Sequence, residues 1–508
     1  MPAAELPIVA RALSHADHTA IVAAEGTFTY RDLLEASSRV AACLLDGRAD
    51  LAEARVAFLA PSGWHYVATQ WGIWRAGGIA VPLATSHPPA ELDYVIRDAD
   101  AEIVVAHPDF ADTLRRVAAV KTARFVETQQ ALTHPTHHAP HTGVAEGRRA
   151  MIVYTSGTTG KPKGVVTTHA SLRAQVTALI TAWEWTADDA ILLVLPLHHV
   201  HGIVNVLTCA LWAGARCEML AKFDADRVWS RLASGDLTLF MAVPTIYTKL
   251  IAAWEQAPAD RQQAWSAGVA RLRLMVSGSA ALPVQTLERW KTISGHTLLE
   301  RYGMTEIGMA LSNPVRGERR PGFVGTPLPG VEVRLVDEQS RPVAAGTPGE
   351  VEVRGANVFL EYWRRRDATA AAFRDGWFRT GDMAVVADGA YRLLGRTSVD
   401  IIKSGGYKIS ALEIEEVLRT HPAVAECAVV GIEDAEWGEK ICVAVEPRGA
   451  ELTLPELQAW AKEHLAPYKL PRALRCVAAL PRNAMGKVTK PDVARLFGAP
   501  NVPRPSRF

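Results

Sequence analysis

Apolar residues in the N-terminal part of the chain follow two spacings, one typical of helices and one typical of buried strands. From Tyr30 to Leu45 they recur three and four positions apart, which predicts a helix with one buried face. The short apolar runs Arg55–Leu59 and Ile103–Ala106 predict strands buried on both faces. Helices and strands in this alternation predict βαβ units and a largely parallel sheet.

The spacing changes twice towards the C-terminus. Between Val331 and Tyr362 apolar residues fall at every second position among Gly and Pro turns, which predicts a small β-rich subdomain. After Gly395 the chain predicts a short α+β module with strands over residues 423–429 and 441–445. A chain of 508 residues is too long for one compact core, so two or more domains are expected.

Composition and charge narrow the class of protein. The chain is 49% hydrophobic and 21% charged, and its net charge of +1 gives no general attraction to nucleic acid or an anionic membrane. The N-terminus lacks a basic region followed by an apolar run, and no uninterrupted apolar stretch reaches the roughly 18 residues of a membrane span. The six cysteines are scattered and predict reduced thiols. We therefore expect a cytoplasmic protein with no membrane span.

The loop that follows the apolar segment 150–154 is dense in hydroxyls, glycines and lysines. Such a loop can wrap backbone N–H groups and hydroxyls around a triphosphate, while a lysine offsets its charge. It is not a Walker loop, because Pro162 stands where that motif requires Ser or Thr. The residues predicted to bind phosphate are Thr155, Ser156, Gly157, Thr158, Thr159 and Lys161.

Further motifs follow this loop in a fixed order. They are Arg-Tyr-Gly-Met-Thr-Glu at 301–306, Arg-Thr-Gly-Asp at 379–382, Gly-Arg at 395–396 and Asn-Ala-Met-Gly-Lys at 483–487. Together with the loop they resemble the signatures of the adenylate-forming superfamily, which includes acyl-CoA synthetases, luciferases and peptide-synthetase adenylation domains. The resemblance runs from about 154 to 487 and covers most of the chain.

This resemblance implies a role in ATP binding and catalysis for several residues. A carboxylate that attacks the α-phosphate must overcome repulsion between two anions, which a metal ion and a lysine do best. For any of these residues alone, a structural role would be the simpler interpretation. The implied roles are Thr305 as donor to the α-phosphate, Glu306 as ligand of Mg²⁺, Lys487 as bridge between carboxylate and α-phosphate, Tyr302 as platform for adenine, Asp382 as ribose acceptor and Arg396 as its support.

The resemblance also implies how the chain is divided and where coenzyme A binds. Ser404, Gly405 and Gly406 resemble the loop that admits the pantetheine arm, where glycine allows close approach of the backbone. In this superfamily the C-terminal domain swings after adenylation. The expected fold is α/β, with an ATP- and acyl-binding adenylation domain over 1–395 that includes the β-rich subdomain, a hinge over 396–400 and a small mobile α+β domain with the catalytic lysine over 401–508.

The acid can be inferred from polar residues in an otherwise apolar acyl pocket. His199 resembles the histidine or aromatic gate of the superfamily, and His201, Ser279 and Arg301 are expected to line the pocket. Burying such residues is costly unless they bind an anion, and a guanidinium suits a second carboxylate. This set resembles the malonyl-CoA synthetase branch. The alternative interpretation is that Arg301 pairs with Glu300 or Glu306 while His201 only packs.

The resemblance implies the reaction of ATP, malonate and CoA to AMP, pyrophosphate and malonyl-CoA through a malonyl-adenylate. One methyl group changes binding little, so methylmalonate is a further expected substrate. A role in fatty acid metabolism and control by a lysine acetyltransferase acting on Lys487 are also expected. The alternatives are another short- or medium-chain acyl-CoA synthetase, a stand-alone adenylation enzyme, a luciferase-type oxygenase and a non-catalytic nucleotide-binding protein.

Overall fold

The structure is a computed structural model, and it contains two large sheets, a β-rich layer and a small C-terminal sheet. Both large sheets are parallel at their centre, as predicted from the alternation of helices and strands; the nine-stranded sheet has antiparallel pairs at both edges and the seven-stranded sheet at one edge. The residues that it describes are 5–118, 123–136, 143–155, 162–397, 399–404, 407–434, 436–449, 452–483 and 486–498.

The seven-stranded sheet contains the predicted strands Arg55–Leu59 and Ile103–Ala106 as direct parallel neighbours. Both are apolar and buried, as strands covered by helices on both faces must be. In spatial order its strands are Glu361–Tyr362, Lys163–Thr168, Arg149–Thr155, Ile79–Pro82, Arg55–Leu59, Ile103–Ala106 and Arg124–Glu127.

The nine-stranded sheet supplies the edge at which the acyl-pocket residues lie. Its strands Leu274–Ser277 and Leu299–Met304 are parallel neighbours, so their carboxyl ends point the same way. In spatial order the strands are Thr326–Pro327, Gly308–Ser312, Leu299–Met304, Leu274–Ser277, Leu239–Ala242, Ala190–Leu193, Arg216–Met219, Thr19–Ala23 and Gly26–Thr29.

Helices cover these sheets. Tyr30–Leu45 is helical over the predicted range and starts with a capping box, in which Thr29 and Asp32 satisfy each other's backbone N–H groups. Within the described residues, no helix has both the length and the apolar character needed to span a bilayer. The other helices up to the β-rich layer are Pro7–Leu13, Trp64–Arg75, Pro89–Asp98, Pro108–Ala118, Thr128–Leu132, His169–Trp183, the π-helix His201–Thr208, Cys209–Ala213, Ala225–Ala233, Pro244–Gln256, Ala259–Val269 and Val284–Ser294.

The predicted β-rich segment forms an antiparallel sheet that extends beyond Tyr362. Its longest strand, Trp377–Ala387, pairs with Ala390–Arg396, and this register sets Asp382 opposite Arg396. A short helix, Arg366–Ala372, lies next to it in the chain. The strands are Val331–Val336, Gly349–Gly355, Trp377–Ala387, Phe373–Arg374 and Ala390–Arg396.

The chain after residue 400 builds a separate small sheet with its own apolar core. The predicted strands over 423–429 and 441–445 are present but longer, because their two strands form one extended hairpin. The domain boundary at 395 and the hinge over 396–400 stay predictions. The elements are strands Ile401–Ser404, Tyr407–Ser410, Val424–Asp434, Gly438–Pro447 and Ala473–Cys476, helices Ala411–Leu418, Leu454–Lys462 and Lys490–Arg495, and the 3₁₀ turn Pro467–Lys469.

Candidate active site

Three of the residues predicted to bind the acid lie in contact at the carboxyl edge of the nine-stranded sheet. Arg301 Nη2 donates a hydrogen bond to Ser279 Oγ at 3.3 Å, and Ser279 Oγ lies 3.2 Å from His201 Nδ1. Arg301 belongs to the strand Leu299–Met304, and Ser279 follows the neighbouring strand. His201 begins the π-helix that faces them, and short π-helical segments are frequent at functional sites.

Arg301 is buried, and no acidic side chain among the described residues forms an ion pair with it. Its side chain is 4% exposed, and burial lowers the pKa of the guanidinium to about 9 with no contribution from a neighbouring carboxylate. In the part of the chain that the structure describes, its Nε has no hydrogen-bond partner. An isolated buried charge costs several kcal/mol, so this arrangement is suited to binding an anion.

The alternative in which Arg301 pairs with a neighbouring acid is not supported by the geometry. Glu300 accepts a hydrogen bond from the backbone N–H of Gly322 at 2.9 Å, and Glu306 accepts one from the Tyr362 hydroxyl at 2.9 Å. Side chains of successive strand residues point to opposite faces, which separates Glu300 from its neighbour. Both acids therefore have partners of their own.

The backbone beside Arg301 is shaped to let the guanidinium approach closely. A Cβ atom on Gly278 would lie 2.6 Å from Arg301 Cζ, so only glycine fits at this position without displacing the guanidinium. Ser279 has a φ of +70°, in the left-handed region that non-glycine residues rarely adopt. Backbone strain of this kind persists only where the surrounding contacts enforce it, and such positions are often ligand-binding sites.

A histidine cluster borders the pocket. The rings of His198 and His199 are 4.2 Å apart, and His87 lies 5.7 Å from His198. Burial lowers the pKa of His199 to about 2 and that of His201 well below its ordinary value, with the nearby charge of Lys487 contributing to both shifts. Both rings are therefore neutral at physiological pH and can act as hydrogen-bond partners without adding charge.

Lys487 reaches the same site from the C-terminal part of the chain. Its backbone is held in a tight turn, since its N–H donates to Asn483 Oδ1 at 3.0 Å and its carbonyl accepts from the Asn483 N–H at 2.9 Å. Burial, with smaller contributions from the charges of Arg301 and Arg396, lowers the pKa of its ammonium to about 8. Three cationic side chains thus converge on one space, which favours multiply charged anions. Acetylation of Lys487 stays a prediction.

Tyr302, Asp382 and Arg396 also lie together. The Tyr302 hydroxyl donates to Asp382 Oδ2 at 2.6 Å, and Arg396 Nε donates to Asp382 Oδ1 at 3.0 Å. Burial raises the pKa of the Tyr302 hydroxyl, and the charge of Asp382 raises it further. The carboxylate is thereby fixed in orientation and keeps lone pairs free to accept from two ribose hydroxyls. The roles of Tyr302 and Arg396 at a nucleotide stay predictions.

Glu306 lies in the turn after the strand that carries Arg301, next to the half-buried Thr305. Burial raises the pKa of the Glu306 carboxyl, while the hydrogen bond from Tyr362 lowers it. Mg²⁺ is usually held by one or two carboxylates together with phosphate oxygens. A single oriented carboxylate fits that mode. Among the described residues no cluster of three or more His, Cys, Asp or Glu could hold a metal by itself.

Part of the predicted phosphate and coenzyme site falls outside the described residues. Thr155 is described and ends the strand Arg149–Thr155, opposite Lys163 in the register. Ser404 is described, buried, and ends the strand Ile401–Ser404. The residues that lie outside the described ranges are Ser156, Gly157, Thr158, Thr159, Lys161, Gly405 and Gly406.

Comparison with known proteins agrees with this geometry. Residues 8–363 match the AMP-binding enzyme family, and residues 413–487 match the C-terminal domain of AMP-binding enzymes. The chain belongs to the AMP-binding enzyme family. Its α/β architecture, with a large N-terminal and a small C-terminal domain, matches solved structures and confirms the fold expected from the sequence.

Curated relatives of this AMP-binding enzyme match it over nearly its whole length. It is 47% identical to the mitochondrial malonate–CoA ligase ACSF3 of Bos taurus, over 96% of this chain and 90% of the relative. It is 41% identical to the malonate–CoA ligase of Arabidopsis thaliana, over 94% of this chain and 86% of the relative.

Solved structures show the same fold. ATP-bound MatB from Rhodopseudomonas palustris overlays with a TM-score of 0.90 at 34% identity, covering 97% of this chain and 99% of the other. A malonyl-CoA ligase in a ternary product complex with methylmalonyl-CoA and AMP overlays with a TM-score of 0.69 at 38% identity, covering 94% of this chain and 100% of the other.

Some contributors to the site of this AMP-binding enzyme were not predicted from the sequence. Tyr362, which orients Glu306, lies 56 residues away along the chain and was assigned only to a β-rich segment. The close contact of Gly278 with the guanidinium was not predicted, although this glycine stands between two serines directly after a buried strand. A glycine at that position is a signal for close approach of another group.

Proposed function

We propose that this enzyme is a malonate–CoA ligase that converts ATP, malonate and CoA into AMP, pyrophosphate and malonyl-CoA through a malonyl-adenylate. The observation that carries the proposal is the buried Arg301, which is bonded to Ser279 beside His201 and has no ion-pair partner among the described residues. The curated relatives named above are malonate–CoA ligases, and solved relatives hold ATP, or AMP with methylmalonyl-CoA. Methylmalonate as a second acid, a cytoplasmic location and a role in fatty acid metabolism are part of the proposal.

Arg301 would bind the carboxylate of malonate that does not react. The guanidinium can hold that group through paired hydrogen bonds, and the Ser279 hydroxyl keeps the guanidinium in place. Because the site is buried, the charge pair forms in a low-dielectric environment where it is strong. A monocarboxylic acid leaves the guanidinium unpaired, which disfavours its binding.

The other carboxylate would attack the α-phosphate of ATP. A bond forms between the carboxylate oxygen and the α-phosphorus, and the bond from that phosphorus to the bridging oxygen breaks, which releases pyrophosphate. Lys487 would lie between the two anionic groups and reduce their repulsion. Glu306 would hold Mg²⁺, which would supply positive charge that offsets the charge on the transferring group.

The second half-reaction transfers the malonyl group to coenzyme A. The thiol sulfur forms a bond with the acyl carbon, the bond to the phosphate oxygen breaks, and AMP leaves with the electron pair. Asp382 would hold the ribose of AMP through both half-reactions, because Tyr302 and Arg396 fix its orientation. Ser404 and the two glycines after it are proposed to admit the pantetheine arm.

The test compares thioester formation from acetate, malonate, methylmalonate, succinate and octanoate by wild type, Arg301→Ala and Arg301→Lys. Wild type should prefer malonate, and Arg301→Ala should lose at least about 100-fold in kcat/KM for malonate while acetate changes little, because losing a buried charged partner costs about 3–5 kcal/mol. Arg301→Lys keeps the charge without the paired geometry and should be intermediate. Equal or better use of a monocarboxylate by wild type would contradict the proposal.

A further inference from the structure

A side-chain hydrogen bond joins the C-terminal module to the N-terminal domain away from the hinge. Glu416 Oε1 accepts from the backbone N–H of Val284 at 2.9 Å. Glu416 lies on the helix Ala411–Leu418, whereas Val284 is the first residue of the helix Val284–Ser294. The bond therefore spans 132 residues and two separate cores.

The helix Val284–Ser294 lacks a cap of its own. Its N-cap residue is Pro283, and no side chain from the flanking residues satisfies its first N–H groups. The start of a helix carries partial positive charge and unsatisfied donors, so it attracts a carboxylate. Glu416 supplies that carboxylate from the other module.

The surroundings make this placement costly for Glu416. Burial raises the pKa of its carboxyl, and the neighbouring charges of Glu415 and Glu288 raise it further, while the bond from Val284 lowers it. The buried carboxyl of Glu300 is close enough that the charge of Glu416 raises its pKa as well. Besides the helix start, Arg419 Nη1 offers a cation at 3.8 Å. The N–H of Val284 and the charge of Arg419 therefore hold the Glu416 carboxylate in place against the repulsion of the neighbouring carboxylates.

The same module carries Lys487. Its position is close enough to the pocket that its charge lowers the pKa of His199 and His201. The whole chain, in this arrangement, overlays more closely on the ATP-bound relative than on the product complex with CoA, at TM-scores of 0.90 and 0.69. The bond between Glu416 and Val284 thus belongs to the arrangement in which the lysine faces the acyl pocket.

We propose that Glu416 is a positioning residue that docks the C-terminal module on the helix Val284–Ser294 and so keeps Lys487 in the acyl pocket during adenylation. This inference rests on the proposed function. Adenylation needs a cation between the attacking carboxylate and the α-phosphate. Transfer of the malonyl group from the adenylate to a thiol does not, so the two half-reactions respond differently to loss of the contact.

The test measures the two half-reactions separately. Malonate-dependent exchange of pyrophosphate into ATP reports adenylation, and thioester formation from synthetic malonyl-adenylate and CoA reports the transfer. Glu416→Ala should lower kcat of the exchange about 5- to 20-fold and leave the transfer within about twofold, as expected for loss of one charge-assisted hydrogen bond. Glu416→Gln keeps an acceptor oxygen and should be intermediate. Glu463→Ala removes an exposed carboxylate of the same module and should match wild type.

A second variant removes the donor instead of the acceptor. Val284→Pro deletes the N–H group at the first helical position, where proline is well tolerated. It should reproduce the Glu416→Ala defect, and the double variant should be no slower than either single one, because both remove the same interaction. Melting temperatures within about 3 °C of wild type show that the variants are folded.

Three results would overturn the inference: exchange unchanged in Glu416→Ala, both half-reactions falling together in the two single variants, or additive defects in the double variant. Absence of malonate-dependent exchange in wild type would instead overturn the proposed function. Exchange by wild type together with an unaffected Glu416→Ala variant separates the two failures.

Discussion

The hydroxyl of Ser279 connects two side chains that come from distant parts of the sequence. It accepts from Arg301 Nη2 and lies within hydrogen-bond distance of His201 Nδ1. Removing it would leave the guanidinium free to rotate away from the bound carboxylate. The residue therefore acts on malonate through Arg301, by holding the fork of the guanidinium in one orientation.

Ser279→Ala and Ser279→Gly should both lower kcat/KM for malonate about 5- to 30-fold, because one hydrogen bond to a charged group contributes about 1–2 kcal/mol. Ser279→Gly should melt at a higher temperature than Ser279→Ala, since glycine adopts the φ of +70° without the steric cost. Steady-state kinetics and thermal unfolding measure the two effects.

Ser340 provides the matched control for that pair. Its φ is +64° in the turn that starts at Asp337, so Ser340→Ala and Ser340→Gly should differ in melting temperature in the same sense without affecting malonate use. Full activity in both Ser279 variants would show that the hydroxyl does not orient Arg301.

The residue types at the acyl pocket could be predicted from the sequence, whereas the backbone geometry that positions them could not. Arg301 and His201 attract attention in the sequence because polar side chains within apolar strands and helices need partners. The positive φ of Ser279 and the contact between Gly278 and Arg301 depend on how the chain leaves the strand Leu274–Ser277, which no local pattern records. The sequence therefore predicts which residues bind the acid, whereas the fold determines how their side chains are oriented.

At the scale of elements, the strand Leu299–Met304 carries two buried ionisable side chains of opposite type. Arg301 faces the acyl pocket, and Glu300 lies on the other face with a pKa raised to about 8 by burial and by the charge of Glu416. The unfolded carboxyl titrates near 4.3. Between these two values the unfolded chain binds fewer protons than the folded one, so this group reduces stability as pH rises from about 4 to 8.

Glu300→Gln should therefore become more stable relative to wild type as pH rises across that window, by up to about 1.4 kcal/mol per pH unit. The amide keeps an acceptor oxygen for the N–H of Gly322. Melting temperatures at pH 5.5 and pH 8 measure the change, with Glu463→Gln as the control at an exposed carboxylate. A constant difference between variant and wild type at both pH values would contradict the raised pKa.

Elements with strong periodicity were predicted with their boundaries, and irregular ones were not. Tyr30–Leu45 and Arg55–Leu59 match because spacing and capping residues agree with the tertiary environment. The strand Ala190–Leu193 is short, and the chain turns after it to bring His198 and His199 to the site. The π-helix His201–Thr208 was missed, since its period differs from the helical template.

At the scale of the whole molecule, the active site combines charged side chains from separate parts of the fold, so it is complete only when these parts are in contact. Arg301 comes from one sheet, Arg396 from the β-rich layer and Lys487 from the C-terminal module, and each charge affects another. The resemblance of the motifs to those of adenylate-forming enzymes predicted that these residues act at one active site. Their mutual repulsion could not be predicted, because it depends on distances between parts of the chain that are far apart in the sequence.

That repulsion has a consequence for the pH dependence of the reaction. Burial and the two arginines lower the pKa of Lys487 to about 8, so the ammonium is charged below that pH and loses its charge above it. Since kcat/KM reports the ionisation of the free enzyme, its value for malonate-dependent pyrophosphate exchange should fall above about pH 8. Arg301, with a pKa of about 9, should steepen the fall at higher pH.

The transfer half-reaction should lack this decline, because it does not need Lys487 and the thiolate of CoA becomes more abundant as pH rises. In Lys487→Arg the activity that remains should no longer fall near pH 8 and should follow the ionisation of Arg301 alone. A buffer series from pH 6.5 to 9.5 with both half-reactions measured on the same enzyme checks these outcomes. Exchange that stays constant up to pH 9.5 would mean that Lys487 keeps its proton, and that its charge is balanced by a group other than the substrates.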